Sequence, residues 1–281
     1  MLQAADLTFA YGETPVVRGV SLEVPANGFV GIIGPNGSGK TTLLRLLAGT
    51  RKPQQGGVRL DGVPLATLAR GEIARRMAVV PQETHLAFEY SVLEVVLMGR
   101  YPHLGAFEVE GPRDFELARA ALNATGTLPL EARMFSTLSG GEKQRVIIAA
   151  ALAQISTDDV GRDFGRAESK SSILLLDEPT AALDLKYQLE TASLLRSLHA
   201  AHALSVVVST HDLNFAAALC QTLVMLKDGR VLAAGPVDQV LTPARIRDLY
   251  DVDAEVTRHP RTGHLTVVPI AGACGPHEAT E

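Results

Sequence analysis

The sequence predicts an α/β fold whose buried parallel strands carry a phosphate-binding loop, with an antiparallel β region before it and a helical region inserted into it. Three observations predict this fold. An apolar run at 30–33 opens into the glycine-rich loop 34–41 and then into an amphipathic helix. Further apolar runs at 173–176 and 205–210 have the uniform character of strands buried on both faces. Between 91 and 153 the apolar period becomes helical.

Composition limits the function classes. The chain has 281 residues, 46% of them hydrophobic and 20% charged, which is enough to bury a full core. Its net charge of −5 argues against a nucleic-acid partner, because such a surface would need a basic face. The N-terminus does not resemble a signal peptide, and no apolar run approaches the roughly 18 residues that span a bilayer. We therefore expect a cytoplasmic location, with any membrane contact supplied by a partner subunit.

The antiparallel region covers residues 6–24 and breaks at 11–15. Tyr11 lies in that break, and two interpretations are evenly balanced: a stacking surface for an adenine ring, or a surface tyrosine in a turn. Residues 56–57 and 61–62 predict turns on either side of a short strand at 58–60.

The glycine-rich loop follows the spacing G-x-x-x-x-G-K-[ST]. Its members are Gly34, Pro35, Asn36, Gly37, Ser38, Gly39, Lys40 and Thr41, with Thr42 next in the helix. Glycines let several backbone N–H groups point at one anion, and the helix N-terminus adds partial positive charge. We expect Lys40 to reach the β- and γ-phosphates and Thr41 to bind Mg²⁺. A chance match in a glycine turn is disfavoured by the flanking strand and helix, although kinases, GTPases and transport ATPases all share this loop.

A buried strand at 77–80 ends at the polar residues 81–83. In open α/β sheets, ligands are contacted at such strand ends. Gln82 is therefore a candidate ligand for Mg²⁺ or water and a candidate sensor of a partner; the alternative is an ordinary loop glutamine.

Two capping boxes begin helices in the helical region. Ser91 and Glu94 form the first, and Ser139 and Glu142 form the second. The second box alone predicts a well-capped helix. Gly140 and Gly141 follow its cap, however, and each glycine costs a helix about 1 kcal/mol relative to alanine. Their bare backbone therefore suggests approach to an anionic group.

The strand at 173–176 ends in two adjacent carboxylates, Asp177 and Glu178. Because neighbouring side chains on a strand point to opposite sides, we expect one to serve the Mg²⁺ shell and the other to face the water that attacks a γ-phosphate. The alternative is a pair of solvated acids at a strand end.

A helix over about 185–199 leads to the strand 205–210, which ends at His211. A lone histidine is more often structural, but its place at the end of a strand like that of Asp177 favours a γ-phosphate contact. Downstream, the sequence predicts a hairpin at 223–232 and a last helix at 243–250. It also predicts a mobile loop at 155–172 and a disordered tail at 271–281. Cys220 and Cys274 lack metal-ligand spacing.

Together these segments resemble, in order and spacing, the ATP-binding subunit of ABC transporters over about residues 2–270. The discriminating piece is Leu-Ser-Gly-Gly at 138–141, which kinases and GTPases lack. Within that family, the strings at 98–103 and 263–269 resemble importers of iron chelates, heme and cobalamin, and 86–88 resembles the heme-type members. The loop at 155–172 is longer than the family's usual link.

The resemblance implies the ABC ATPase fold as a single domain over residues 1–270. This is a P-loop NTPase core with an antiparallel β subdomain and an inserted helical subdomain at about 88–153. It also implies ATP and Mg²⁺ as cofactors and two copies packed head to tail, so that each ATP lies between the phosphate loop of one and residues 138–142 of the other. An integral-membrane permease would receive this dimer at its cytoplasmic face, served by an external substrate-binding protein.

The resemblance also implies residue roles. ATP would contact the phosphate loop, Tyr11, Thr42, Gln82, Asp184 and, in trans, Ser139, Gly140 and Gly141. Mg²⁺ would be held by Thr41, Gln82 and Asp177. Glu178 would act as general base, His211 as γ-phosphate sensor and Lys40 as the catalytic cation on the phosphates.

Two alternatives remain open at this point. A soluble ABC protein acting on nucleic acid or ribosomes is disfavoured by the single nucleotide-binding unit and the acidic balance. An exporter motor is disfavoured by the string at 98–103. The cargo is not encoded in this chain, because the permease and the external binding protein select it.

Overall fold

Twelve strands are present in the computed structural model, which describes residues 1–156, 172–181, 183–201 and 204–272. They are β1 Leu2–Tyr11, β2 Thr14–Val24, β3 Phe29–Ile33, β4 Gln55–Leu60, β5 Val63–Pro64, β6 Met77–Val80, β7 Ser172–Asp177, β8 Leu204–Thr210, β9 Thr222–Lys227, β10 Arg230–Pro236, β11 Val252–Arg258 and β12 Leu265–Gly272. Of the predicted 155–172 loop, residues 157–171 lie outside the described part, as do residues 273–281 of the predicted tail and Cys274 within it.

Nine α-helices accompany the strands in the described part of the chain. They are α1 Lys40–Leu47, α2 Arg70–Arg76, α3 Val92–Leu97, α4 Pro112–Ala124, α5 Gly140–Ile155, α6 Leu185–Ala201, α7 Leu213–Leu219, α8 Val237–Val240 and α9 Pro243–Tyr250. Short 3₁₀ helices occur at Leu65–Thr67, Met98–His103, Leu128–Leu130 and Phe135–Thr137. None of the helices in the described ranges has the combination of length and apolar character that a bilayer crossing requires.

The central sheet has the order β10-β9-β3-β8-β7-β6. All its neighbouring pairs are parallel except β10 with β9. Every residue of β3 and β8 is buried, which accounts for their apolar runs. Alternate residues enter two separate cores: Leu174 and Leu176 face one, whereas Ile173 and Leu175 face the other.

A second sheet, β2-β1-β4-β5, is antiparallel throughout and covers one face of the central sheet together with α1. This confirms the predicted β region before the phosphate loop. The turn predicted at 56–57 is wrong, because both glycines lie within β4. Gly56 has φ +77° and lies opposite the part of β1 between Ala5 and Thr8. A β-bulge there shifts the register of the β1–β4 pair.

Helices α3, α4 and α5 lie between β6 and β7 in the chain. Helix α3 stops at Leu97, and the chain then tightens into a 3₁₀ helix that contains Pro102. Two side chains of this 3₁₀ helix reach the last turn of α5. Arg100, fully buried, donates to the Ala153 and Ser156 carbonyls, and His103 Nε2 lies 2.7 Å from the Gln154 carbonyl.

Gln154 joins the same end of α5 to the central sheet. Its side-chain amide donates to the carbonyls of Ala74, in α2, and Met77, the first residue of β6, at 2.9 and 3.1 Å. The C-terminal end of α5 is therefore fixed both to the 3₁₀ helix and to the strand that leads to Gln82.

Strands β11 and β12 form a separate antiparallel hairpin that the sequence analysis did not predict. Ala271 and Gly272 belong to β12, which corrects the disordered tail at those two positions.

Candidate functional site

Four neighbouring parallel strands bring the candidate residues to one edge of the central sheet. The phosphate loop follows β3, His211 follows β8, and Asp177 ends β7. Ile33 pairs with Thr210, and Asp177 pairs with Ser209, so the three strand ends are level. Gln82 follows β6, the next strand in the sheet. This edge is where open α/β sheets hold ligands.

The phosphate loop needs glycine at two positions for reasons visible in its surroundings. Gly39, the N-cap of α1, has φ +103°, and a Cβ there would lie 2.7 Å from the Val16 carbonyl oxygen. A Cβ on Gly34 would collide with the Leu226 carbonyl. The Ser38 hydroxyl inside the loop is buried and has no hydrogen-bond partner in the described structure. A tight loop with N–H groups at a helix start and a spare hydroxyl fits a phosphate group.

The Lys40 side chain turns back onto the backbone of the phosphate loop. Its ammonium donates to the carbonyls of Gly34 at 2.9 Å and Pro35 at 3.1 Å. The same nitrogen lies 3.2 Å from Glu178 Oε1, and both side chains are almost fully buried. The loop therefore holds one cation whose charge is shared between backbone carbonyls and a carboxylate.

Asp177 is buried beside the start of α1. Its Oδ1 accepts hydrogen bonds from the hydroxyls of Thr41 at 3.1 Å and Ser209 at 2.6 Å. A hydroxyl and a carboxylate in contact at the edge of a phosphate loop are the oxygen ligands that Mg²⁺ takes in nucleotide sites. These two residues thus fit a magnesium ion.

Glu178 does not continue the strand, which corrects the expectation that it and Asp177 lie on opposite strand faces. The strand ends at Asp177, and Glu178 has φ +44°, a left-handed conformation that a non-glycine residue adopts with strain of about 1 kcal/mol or more. Its N–H donates to the Ser209 carbonyl and lies 3.1 Å from the Ser209 hydroxyl. Both carboxylates consequently reach the phosphate loop, Asp177 at Thr41 and Glu178 at Lys40.

His211 lies on the other side of Glu178. Its Nδ1 is 3.0 Å from Glu178 Oε2, and its ring is half exposed. Glu178 therefore sits between a buried ammonium and an exposed imidazole. These two contacts hold both carboxylate oxygens of Glu178 in fixed positions at the phosphate loop.

Ser209 was missed by the sequence analysis. Its hydroxyl bonds Asp177, and its backbone and side chain together fix the strained Glu178. The pairing of β7 with β8 places it there, so only knowledge of the strand register could have identified it.

Tyr11 lies at the end of β1, close to α1. Its ring meets Phe9 edge-to-face at 4.9 Å between centroids and is 42% exposed. Hydrogen bonding by the Thr42 hydroxyl, and then by the Arg45 guanidinium, holds the pKa of Tyr11 below its usual value. An exposed aromatic face beside the phosphate-loop helix is compatible with base stacking.

The structure does not bring every candidate residue together. Gln82 and Asp184 are exposed, and in the described ranges no hydrogen bond joins either side chain to Thr41, Asp177 or the phosphate loop. Gln82 follows β6 at the same sheet edge, but neither side chain is part of the site's hydrogen-bond network in a single molecule.

Residues 139–141 form the capped start of α5. The Ser139 N–H and hydroxyl both contact Glu142 Oε2, at 2.8 and 2.9 Å, and Glu142 N–H returns to the Ser139 hydroxyl. The Ser139 backbone N–H, then its hydroxyl, lowers the pKa of Glu142. Gly141 packs on Tyr187, and a Cβ would collide with that ring. Packing is therefore a second reason for glycine here. No hydrogen bond within the described part joins these residues to the phosphate loop.

Comparison with known proteins finds relatives of this chain over nearly its whole length. A family profile described as ABC transporter matches residues 17–157. The hemin import ATP-binding protein HmuV of Gloeobacter violaceus is 42% identical over 273 residues, covering 97% of this chain and 95% of that protein. HmuV of Bordetella pertussis is 41% identical over 268 residues, 95% and 98% of the two chains. The cobalamin import ATP-binding protein BtuD of Halobacterium salinarum is 38% identical and covers 96% of this chain and 63% of that protein.

Solved structures of ABC transporter proteins share the fold of this chain. A metal-chelate type ABC transporter in an inward-facing conformation matches with a TM-score of 0.79 and 28% identity over 96% of both chains. A dimeric bacterial ABC transporter cassette matches with a TM-score of 0.69 and 30% identity, covering 84% of this chain and 99% of that one.

Proposed function

The chain belongs to the ABC transporter family of transport ATPases, and from that membership we propose that it is the ATP-hydrolysing subunit of an importer for iron chelates (siderophore or heme) or cobalamin. By their names, the relative HmuV serves hemin import and the relative BtuD serves cobalamin import. The HmuV relatives align over nearly their whole length. Hemin import is the first choice, because the HmuV proteins show the higher identities.

ATP would bind with its phosphates in the loop 34–41. Supporting this, the loop offers the N–H groups at the start of α1 and the buried Ser38 hydroxyl, with the Lys40 ammonium at its centre. Nucleotide binding requires Lys40 to exchange its carbonyl and carboxylate partners for phosphate oxygens. Tyr11, with Thr42 beside it, would carry the adenine ring.

Mg²⁺ would be held by Thr41 and Asp177, with Gln82 reaching it after a side-chain rearrangement. When bound, the ion neutralises phosphate charge and orients the β- and γ-phosphates. The Ser209 hydroxyl donates to Asp177 Oδ1 and helps fix the orientation of this carboxylate.

Glu178 would act as the general base on the attacking water, and His211 would contact the γ-phosphate. The supporting observation is that Glu178 is fixed at its backbone by Ser209 and at its two carboxylate oxygens by Lys40 and His211. Phosphoryl transfer depends mainly on positioning and charge stabilisation, and this arrangement supplies both.

Two copies would pair head to tail around the nucleotide. A dimeric cassette is among the structural relatives, which supports a dimer. In one molecule, residues 139–141 make no hydrogen bond to the described phosphate loop, so their proposed contact with ATP has to come from the second copy. Ser139 and Gly140 at the start of α5 are exposed, so their backbone is accessible there. Asp184, exposed next to α6, would lie at the same interface.

A membrane permease would dock near Gln82. Residues 84–90 and 135–136, with Lys143, line a cavity of about 520 Å³, and Phe88 at its rim is 73% exposed. An exposed aromatic at a half-open cavity is typical of a surface that receives an apolar helix. The subunit would lie at the cytoplasmic face of the membrane, and a substrate-binding protein would act on the opposite side of the permease.

The observation that carries the proposal is the contact of adjacent acids, Asp177 and Glu178, with adjacent loop residues, Thr41 and Lys40. The variant Glu178→Gln tests it: with Mg²⁺ and ATP it should bind nucleotide, lose turnover and accumulate as a dimer by light scattering. Turnover at the parental rate would exclude Glu178 as the base. Transport of heme, a ferric siderophore and cobalamin in vesicles with the partner permease then decides the cargo.

The two alternatives are tested separately. Salt-sensitive binding to DNA or ribosomal RNA would favour a soluble ABC ATPase on nucleic acid. Copurification with an exporter-type membrane domain would favour an exporter motor. The names and near-complete alignment of the HmuV relatives favour the importer over both.

A further inference from the structure

The position of the His211 ring depends on the backbone on both sides of it, because the ring is half exposed. In the described part of the chain the ring makes one hydrogen bond, between Nδ1 and Glu178 Oε2 at 3.0 Å. A side chain with so few contacts keeps its place only if the segments that flank it are themselves fixed. For His211 these segments are β8 and α7.

The β8 side is fixed by the central sheet. Thr210, the last residue of β8, is buried and pairs with Ile33, which directly precedes the phosphate loop. The Thr210 hydroxyl also accepts a hydrogen bond from the Asp212 N–H at 3.0 Å, so it spans His211. The strand therefore fixes the chain on one side of the histidine.

The α7 side begins with a side-chain cap. Asp212 is the N-cap of α7, and its Oδ1 accepts from the N–H groups of Asn214 and Phe215, each at 2.9 Å. Helix α7 has only seven residues, and a helix of that length is not stable without tertiary contacts. The direction in which the chain leaves His211 therefore depends on what holds α7.

Asn214 attaches the first turn of α7 to the C-terminal hairpin β11–β12. Its Oδ1 accepts from the Val267 N–H at 2.7 Å, and its Nδ2 donates to the Val267 carbonyl at 3.1 Å. One amide thus satisfies both backbone groups of a residue in β12, as a neighbouring strand would. Val267 is buried in the larger core, and β12 packs along α7. The hairpin is therefore a firm anchor for this turn.

We propose that Asn214 is a positioning residue that uses the hairpin β11–β12 to hold His211 where its imidazole meets Glu178. The inference rests on the proposed contact of His211 with the γ-phosphate. Val267 bonds the Asn214 side chain, and the Asn214 N–H bonds Asp212. Asp212 is joined to His211 by a peptide bond. A hairpin that holds none of the candidate nucleotide residues would in this way affect the rate of hydrolysis.

The substitution Asn214→Ala removes both bonds to Val267 and leaves the Asp212 cap, which bonds backbone N–H groups. We expect kcat for ATP to fall about threefold or more, because small displacements of positioned groups cost large factors in rate. Kd for ADP should stay at the parental value, because ADP lacks the γ-phosphate that His211 is proposed to contact. Steady-state kinetics give kcat, and calorimetry gives Kd.

A matched control separates positioning from loss of stability. Gln221 lies just after the other end of α7, and its Oε1 accepts from the Phe29 N–H at 3.2 Å. Phe29 begins β3 at the strand end opposite the phosphate loop. Gln221→Ala therefore removes an amide-to-backbone bond far from His211. It should keep the parental kcat, even where thermal unfolding shows that its Tm falls as much as that of Asn214→Ala.

The His211 ring gives a readout that does not depend on turnover. NMR spectra of nucleotide-free protein with isotope-labelled histidine show its ring signals, which are identified by their loss in His211→Ala. We expect Asn214→Ala to shift these signals in the direction in which Glu178→Ala shifts them, because both variants weaken the same contact. Gln221→Ala should leave them unchanged.

Three results would overturn the inference. Unmoved His211 signals or a parental kcat in Asn214→Ala would show that the hairpin does not position the histidine. ADP binding weakened by the same factor as kcat would show a general loss of the site. An equal loss of kcat in Gln221→Ala would show an effect of stability alone.

A second variant covers the case in which Asn214→Ala does not fold. Asn214→Asp keeps the shape of the side chain and suits the first turn of a helix, but it cannot donate to the Val267 carbonyl. The same changes in kcat and in the His211 signals are expected of it. If the parent chain hydrolyses no ATP, the proposed function fails, whereas the His211 signals still test the attachment.

Discussion

The ammonium of Lys40 lies 3.2 Å from Glu178 Oε1, so the cation of the phosphate loop and the proposed general base are ion-paired to each other. Binding a phosphate group to Lys40 has to displace or share that carboxylate. The pair therefore keeps the loop cation partly neutralised, and it couples the charge of the nucleotide to the position of the base.

Removing the competing carboxylate should strengthen nucleotide binding even where turnover is lost. We expect Glu178→Gln to bind ADP about threefold to tenfold more tightly than the parent, which corresponds to about 1 kcal/mol for a nearly buried pair. ADP is used so that ATP-driven pairing does not contribute, and calorimetry measures Kd. The control Glu116→Gln, at an exposed surface pair, should not change Kd. Weaker ADP binding in Glu178→Gln would contradict the competition.

The serine hydroxyl behind the magnesium candidates should affect the metal requirement. Ser209→Ala removes a 2.6 Å bond to Asp177, and we expect the Mg²⁺ concentration for half-maximal ATPase activity to rise about threefold or more. Ser205→Ala is a matched control: it is an equally buried serine on β8 whose hydroxyl donates to Pro25 at the opposite strand end. Both variants should lose stability, but only Ser209→Ala should shift the Mg²⁺ titration, which is followed by steady-state ATPase assays.

The capping boxes at Ser91 and Ser139 have nearly the same geometry and allow capping to be separated from catalysis. Each alanine variant should lower the free energy of unfolding by about 1 kcal/mol, since an N-cap hydroxyl bonds the N3 backbone in both. Ser139→Ala should in addition slow ATP turnover by the paired protein, because we place Ser139 at the nucleotide in trans. Urea titrations and ATPase rates measure the two effects. If ATP turnover falls only in proportion to the loss of stability in both variants, the contact of Ser139 with the nucleotide in trans is contradicted.

Gly141 has two possible reasons to be glycine, and a double variant separates them. Gly141→Ala should destabilise the chain, because the new Cβ collides with the Tyr187 ring. Adding Tyr187→Ala removes that ring and should restore part of the stability, as measured by Tm. If the bare backbone also approaches the nucleotide, ATP turnover should remain low in the double variant. Full recovery of both Tm and ATP turnover in the double variant would show that glycine is needed at 141 only for packing against Tyr187.

The buried ion pair between Arg100 and Asp114 predicts an acid-sensitive contribution to stability. Burial alone would raise the pKa of Asp114, but hydrogen bonds from the Arg100 guanidinium and the Gly111 N–H hold the pKa below its ordinary 3.8. The stabilisation is therefore complete above that value and is lost as the pH falls through the lower folded-state pKa. We expect Asp114→Asn to lower the free energy of unfolding by about 3 kcal/mol near neutral pH.

Urea unfolding at several pH values tests whether the stabilisation by Asp114 is lost as the pH falls. The difference between Asp114→Asn and the parent should shrink as the pH falls below about 4, because the parent loses the charge that the variant lacks. Asp238→Asn removes an exposed partner of Arg258 and should change stability by less than about 1 kcal/mol at any pH. A difference that stays constant with pH would show that the ion pair is not what Asp114 contributes.

Much of the central fold was predictable because its signals are local. Apolar runs of four to seven residues mark β3, β7 and β8, and the phosphate loop and both capping boxes are defined by spacing within eight residues. The expectation that ligand-contacting residues follow the ends of such strands is also local, because it needs only the polar residues that come directly after each apolar run. These features need no knowledge of distant contacts.

The remaining features depend on distant parts of the chain. Ser209 meets Asp177 only through the register of β7 with β8. The left-handed backbone of Glu178 is imposed by bonds to Ser209, and a local strand rule therefore misplaced it. Strands β11 and β12 lack a clear apolar period, and β12 is bonded at Val267 by Asn214, 53 residues earlier in the chain.

The attachment of α5 has a mechanical consequence. Gln154 pins the rear of this 16-residue helix to the first residue of β6, while Ser139 stands at its front. A helix of that length is about 24 Å long, so a tilt of about 5° at the pinned end swings Ser139 through about 2 Å. With the permease docked after β6 as we propose, motion imposed there would displace Ser139, which we place at the nucleotide of the second copy.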